Sequence, residues 1–186
     1  MLSRWLRLVA GAAIVLALGV TYSRPQIIVG LVSGVSCSGA VCTDDAARAG
    51  QAAALYEDAL SFVATNVKQL SSRPVTVFCA SERCYRTFGF SDGKAKSVGG
   101  TVIVIGPDAW KPYFVRHELI HQVQSQQLGT LRMFAEPTWF IEGMAYSLSG
   151  DPRHPLAEPN EGYRARFEAW RRSLESADVW NEARKL

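Results

Sequence analysis

Apolar residues in this chain fall into two patterns: stretches where they recur every three or four positions, and short runs where they are continuous. Thr43 to Leu70 is of the first kind, with Leu55, Phe62, Val63, Val67 and Leu70 at helical spacing marking one buried face. Thr43 is placed to cap that helix. Asp44 and Asp45 fall in its first turn, where the helix dipole favours anions. Ser71-Ser72-Arg73-Pro74 ends it. Val75–Cys79 and Thr101–Ile105 are β-branched runs and read as strands, while the polar stretch Ala80–Ser97 between them reads as loops. Gly99-Gly100 is no phosphate loop, because neither glycine-rich spacing is present. A second helix begins near Pro112, a residue suited to a first helical position, and runs to Leu128 with Gly129 as its stop. A connection containing Pro137 leads to a short third helix, Thr138–Tyr146. Leu148–Gly162, with Pro152, Pro155 and Pro159, reads as a loop. Tyr163–Leu186 reads as a closing helix, with Phe167, Trp170 and Leu174 on its buried face and Arg164, Arg171 and Arg172 off it. The expected fold class is α+β.

The N-terminus reads differently. Arg4 and Arg7 precede Leu8–Val20, thirteen residues without a charge. That length suits a secretory apolar region and falls short of the roughly twenty residues of a full span. Ala17-Leu18-Gly19 offers a small-x-small cleavage site. Against cleavage, apolar character resumes from Ile27 to Val35, and Trp5 and Tyr22 suit the interfaces of a retained signal-anchor. Both alternatives export the domain: tethered to the membrane through the N-terminal helix, or secreted or periplasmic after cleavage. The expected organisation is 1–23 signal-anchor or signal peptide, 24–42 linker, and 43–186 domain.

Composition narrows the class. At 48% hydrophobic and 20% charged residues the chain is globular. Its net charge of +3 includes Arg4 and Arg7, so little remains to attract nucleic acid, and none is expected as a partner. Four cysteines stand in two equally spaced pairs, Cys37 with Cys42 and Cys79 with Cys84. In an exported chain they read as two local disulfides; a structural zinc site is the rival, though its ligands usually come in tighter hooks.

The chemistry centres on His117-Glu118-Leu119-Ile120-His121. Two histidines four apart lie one helical turn apart on one face and can chelate a single metal ion without disturbing the backbone. Glu118 is close enough to meet a metal-bound water without binding the metal itself. Glu142 follows His121 by 21 positions, on a helix that can return antiparallel. Trp139, Phe140, Ile141, Met144 and Ala145 surround it, and a lone carboxylate in such a setting is expensive unless paired or metal-bound. Two imidazoles and one carboxylate with a position left for water is the donor set of catalytic zinc.

With Trp139-Phe140-Ile141-Glu142-Gly143-Met144-Ala145 downstream, the motif resembles the gluzincins, the thermolysin-like and aminopeptidase-like metallopeptidases of the MA clan. Many of these carry Trp-x-x-Glu-Gly-x-Ala around the glutamate ligand. The metzincin pattern is not met, since Gln124 and Gln127 stand where it needs Gly and His. The resemblance covers Thr101 to Leu148. It implies a small zincin-like metallopeptidase domain with one zinc ion on His117, His121 and Glu142, Glu118 as the catalytic base, and a peptide or protein substrate. It further implies that the strand before the metal helix, Thr101, Val102, Ile103, Val104 and Ile105, is the edge on which an extended substrate pairs. Gluzincins commonly stabilise the oxyanion with a Tyr or His; Tyr146, His154 and Tyr163 are the candidates. Thermolysin-like enzymes place an Asp one turn after the glutamate ligand, and this chain has Tyr146 there. Two other readings share these residues: a non-enzymatic zincin-like domain that binds an envelope component, and a zinc hydrolase of a non-peptide amide. Oligomeric state is not legible.

Overall fold

The computed structural model describes residues 34–92, 94–98, 102–133 and 135–186. The expected leader 1–23, most of the expected linker, Gly99-Gly100 and Thr101 lie outside the described residues. Among the described residues no helix is long and apolar enough to cross a membrane.

A five-stranded mixed sheet forms the platform. Its strands are β1 (Ser36–Ser38), β2 (Val41–Thr43), β3 (Val75–Phe78), β4 (Ala95–Val98) and β5 (Val102–Ile105), in the spatial order β1-β2-β3-β5-β4. β2, β3 and β5 run parallel; β1 and β4 pair antiparallel at the two outer positions. The period-two alternation of strand side chains separates two cores. Phe78, Ile103 and Ile105 face the larger one, while Val75, Val77 and Val104 face the smaller.

Helices α1 (Ala49–Asn66), α3 (Pro112–Leu128), α5 (Thr138–Leu148) and α6 (Asn160–Ser173) contribute to the larger core. The short helix α2 (Glu82–Thr87) places Cys84 and Tyr85 in the smaller one. Two one-turn helices, α4 (Thr130–Met133) and α7 (Val179–Ala183), are the other α-helices among the described residues, and the class is α+β as expected.

Several boundaries differ from the sequence reading, each for a tertiary reason. Residues 36–42, expected as the end of a linker, form with Thr43 the first two strands of the sheet and the turn between them, so Thr43 ends β2 and caps no helix. Asp45 caps a short 3-10 turn instead, accepting from the Ala47 amide. Asp44 accepts from the Ala80 amide at 2.6 Å and from the Ser81 hydroxyl at 2.5 Å, so its charge holds the β3–α2 connection rather than a helix end. On α1 the wholly buried positions are Ala52, Tyr56, Ala59 and Val63; the larger Leu55 and Phe62 sit at the rim of that face. Small alanines lie where α1 packs under its neighbours, which a search for large apolar residues passes over.

Ala80–Ser97, expected as loops, contains α2, capped by Ser81, and β4. The sequence Ala-Lys-Ser-Val carries little strand preference of its own, and its ladder with β5 supplies the order. The closing helix is two pieces, because Glu175 takes a left-handed φ of 52° and Asp178 caps α7 afresh. Arg164, expected off the buried face, is buried, donating to the Arg153 carbonyl and pairing with Glu161.

Both local disulfides form, Cys37–Cys42 across the β1–β2 pair and Cys79–Cys84 from the end of β3 to α2, leaving no free cysteine for a structural zinc site. Two disulfides suit an oxidising, extracellular environment.

Candidate metal centre

Helix α3 begins with Pro112 at a position where a missing N–H costs nothing, and Gly129, with φ of 90°, ends it. Val115, Leu119, Ile120 and Val123 are buried in the main core. Arg116 ties the helix to α1, donating to Asp58 at 2.8 Å with its guanidinium over the Phe62 ring. This anchoring leaves His117, Glu118 and His121 lining a cavity of about 470 Å³.

Helix α5 brings the opposite wall. Phe140 is fully buried against Phe167 and Trp170 of α6, and Gly143 is the point of closest approach. A Cβ on Gly143 would lie 2.3 Å from the Tyr163 carbonyl oxygen, so only glycine lets the two helices meet there. With that side of α5 fixed, Glu142 reaches across to α3. Its carboxylate oxygens lie 3.4 Å from His117 Nε2 and 3.6 Å from His121 Nε2, and the two Nε2 atoms are 3.1 Å apart.

One ligand atom from each of His117, His121 and Glu142 falls within 4.8 Å of the other two. Two nitrogens and one oxygen converging at the wall of a cavity form a group that can hold a metal ion and leave a coordination position open. The charges suit one. Burial alone would raise the Glu142 carboxyl, but hydrogen bonding to His117 and the charges of His121 and His117 hold it down at about 2. It is therefore an anion whenever a cation arrives. Glu118 behaves in the opposite way. Burial pushes it up to about 7, with His121 and Lys96 opposing and Glu142 reinforcing. Two carboxylates in one cavity with such separated proton affinities suit different tasks, one as ligand and one as proton acceptor.

The predicted oxyanion candidates part company. Tyr146 lines the cavity, and burial followed by the Glu142 charge raises its hydroxyl above the ordinary phenol range. His154 is exposed and takes a contact from Arg164 at 2.7 Å; Tyr163 packs in the α5–α6 contact. Neither lines the cavity.

The edge-strand expectation is corrected. Val102–Ile105 is β5, hydrogen-bonded to β3 on one side and β4 on the other, so no substrate can pair with it. Among the described residues the open edge beside the site is β4, whose Lys96 and Ser97 line the cavity. Three further residues were given no part in the site by the sequence. Gln122 donates to the Ser97 hydroxyl at 2.7 Å and ties α3 to this edge. Gln124 contacts His121, and Asn160 lines the cavity from the start of α6. Their only sequence signal was the lack of charge on the glutamines between Glu118 and Gly129.

No protein-family model, no curated protein and no solved structure matches this chain.

Proposed function

We propose that this protein is an exported, zinc-dependent metallopeptidase with a zincin-like domain, tethered to the membrane by its N-terminal segment. The observation that carries the reading is a buried Glu118 beside the converging His117, His121 and Glu142, all four on one cavity. A purely structural metal site has no use for a carboxyl group of raised proton affinity at its side. Zinc is the ion this donor set favours, two imidazoles and one carboxylate; when bound it polarises a carbonyl and acidifies water.

Each residue then has a task. His117, His121 and Glu142 hold the ion. Glu118, with a proton affinity near neutrality, accepts the proton of the attacking water as its oxygen bonds to the amide carbon. It passes that proton to the amide nitrogen as the carbon–nitrogen bond breaks. The Tyr146 hydroxyl, kept protonated by burial and by Glu142, donates a hydrogen bond to the carbonyl oxygen as negative charge develops there. The free edge of β4 offers backbone groups to an extended peptide and would lay it along the cavity wall.

The test is cleavage of a peptide library by purified protein, before and after stripping with a chelator and after adding zinc back. Cleavage that is lost and then restored supports the proposal. A zinc-loaded protein inert towards peptides and proteins alike would favour a binding domain of the cell envelope.

A further inference from the structure

Gln124 is wholly buried on the metal helix, and the reaction proposed above does not use it. Its amide group makes two contacts that together fix its orientation. The Ile141 carbonyl can only accept, so the Gln124 nitrogen is the atom lying 2.9 Å from it. The Gln124 oxygen is then the atom 2.8 Å from His121 Nδ1. An amide oxygen only accepts, which requires Nδ1 to carry the proton. The neutral imidazole is left with its lone pair on Nε2, the atom that faces His117 and Glu142.

We propose that Gln124 is a positioning residue that presets the metal centre: it holds His121 as the Nδ1–H tautomer and pins to α3 the turn of α5 that carries Glu142. The inference rests on reading His117, His121 and Glu142 as metal ligands. Ile141 immediately precedes Glu142, so one amide group sets the ring of one ligand and the backbone next to another. An aliphatic side chain here would do neither. A carboxylate would accept from Nδ1–H but has no hydrogen for the Ile141 carbonyl. With both contacts made, the site needs less rearrangement when metal binds, and losing such partners typically costs about 10–100-fold in metal affinity.

Two measurements on the full chain test this. Nitrogen-15 NMR of the metal-free protein, at a pH where the imidazoles are neutral, reports the His121 tautomer, and competition with a chelator reports the zinc Kd. We expect wild type to show the Nδ1–H tautomer. Gln124→Met, of similar volume, is expected to mix the two tautomers and raise the zinc Kd by about 10–100-fold. Gln124→Glu, which retains an acceptor, is expected to restore the tautomer. A merely structural role would lower the melting temperature of these variants without moving the tautomer. If Gln124→Met does not fold, the wild-type spectrum alone decides: an Nε2–H His121 overturns the inference. A folded Gln124→Met with wild-type tautomer and wild-type zinc Kd overturns the role of Gln124 alone. Wild type that binds no zinc overturns the metal reading beneath it and this inference with it.

Discussion

The ring of Tyr146 lies edge-on against the imidazole of His117, centroid to centroid 4.5 Å. Tyr146 sits one turn after Glu142 on α5, so the helix that carries Glu142 also supplies the wall behind His117. Among the described residues no hydrogen bond occupies its hydroxyl. The ring therefore buttresses His117, and the proposed reaction would use the hydroxyl on a substrate oxygen.

Tyr146→Phe separates those two contributions. The ring remains, so zinc content and KM are expected to stay near wild type. Loss of one oxyanion donor is expected to lower kcat by about 100-fold or more. Steady-state kinetics on a cleaved peptide, with metal analysis of the same samples, measures both. A kcat within a few fold of wild type would remove the hydroxyl from the reaction.

Gly143 sets how closely α5 approaches α6, and through that where Glu142 stands. In Gly143→Ala the new methyl would meet the Tyr163 carbonyl oxygen at 2.3 Å and the Phe167 Cβ at 2.8 Å. Both atoms belong to packed helix and do not swing aside. Overpacking of this kind costs about 1–3 kcal/mol, and denaturant unfolding should show that loss together with weaker zinc binding as Glu142 shifts. An unchanged midpoint would mean that α6 yields freely.

Glu118 makes the metal-free protein sensitive to pH in a definite direction. Its carboxyl is raised from 4.5 to about 7 by burial. Between those values the folded state binds more protons than the unfolded one, so this group's contribution to stability is full below pH 4.5 and is lost as pH rises through about 7. His121, Glu142 and Lys96 act on this carboxyl, so the difference between wild type and Glu118→Gln reports Glu118 together with its coupling to them. Thermal unfolding without metal should find Glu118→Gln gaining on wild type from pH 5 to pH 8, the larger advantage being at pH 8. The same difference at both pH values would mean that Glu118 titrates normally.

What the sequence disclosed follows from how local each signal is. His117 and His121 were legible because helix geometry alone puts positions four apart on one face. Glu142 was legible from the apolar residues around it, and the two disulfides from their short, equal spacing. β4 was not, because Ala95–Val98 lacks a strand's alternation and becomes one only through its ladder with β5. The resemblance to gluzincins made β5 an edge, and with β4 unseen nothing opposed it: strand order is set by pairing, which no single strand announces. Gln124 looked like one uncharged residue among several, since its role depends on the Ile141 carbonyl arriving from another helix. Asp44 was read as a helix-dipole partner for the same reason, its real partners being 36 and 37 residues away at Ala80 and Ser81.

The proposed chemistry needs a metal held beside a carboxyl base, and one paired measurement addresses both. Wild type and Glu118→Gln would be loaded with zinc, dialysed, and assayed side by side for bound metal and for peptide cleavage. One zinc per chain in both proteins, with cleavage by wild type alone, is the expected result, since Glu118 handles protons and does not hold the ion. Absence of bound zinc from wild type after reconstitution, or undiminished cleavage by zinc-loaded Glu118→Gln, would contradict the account.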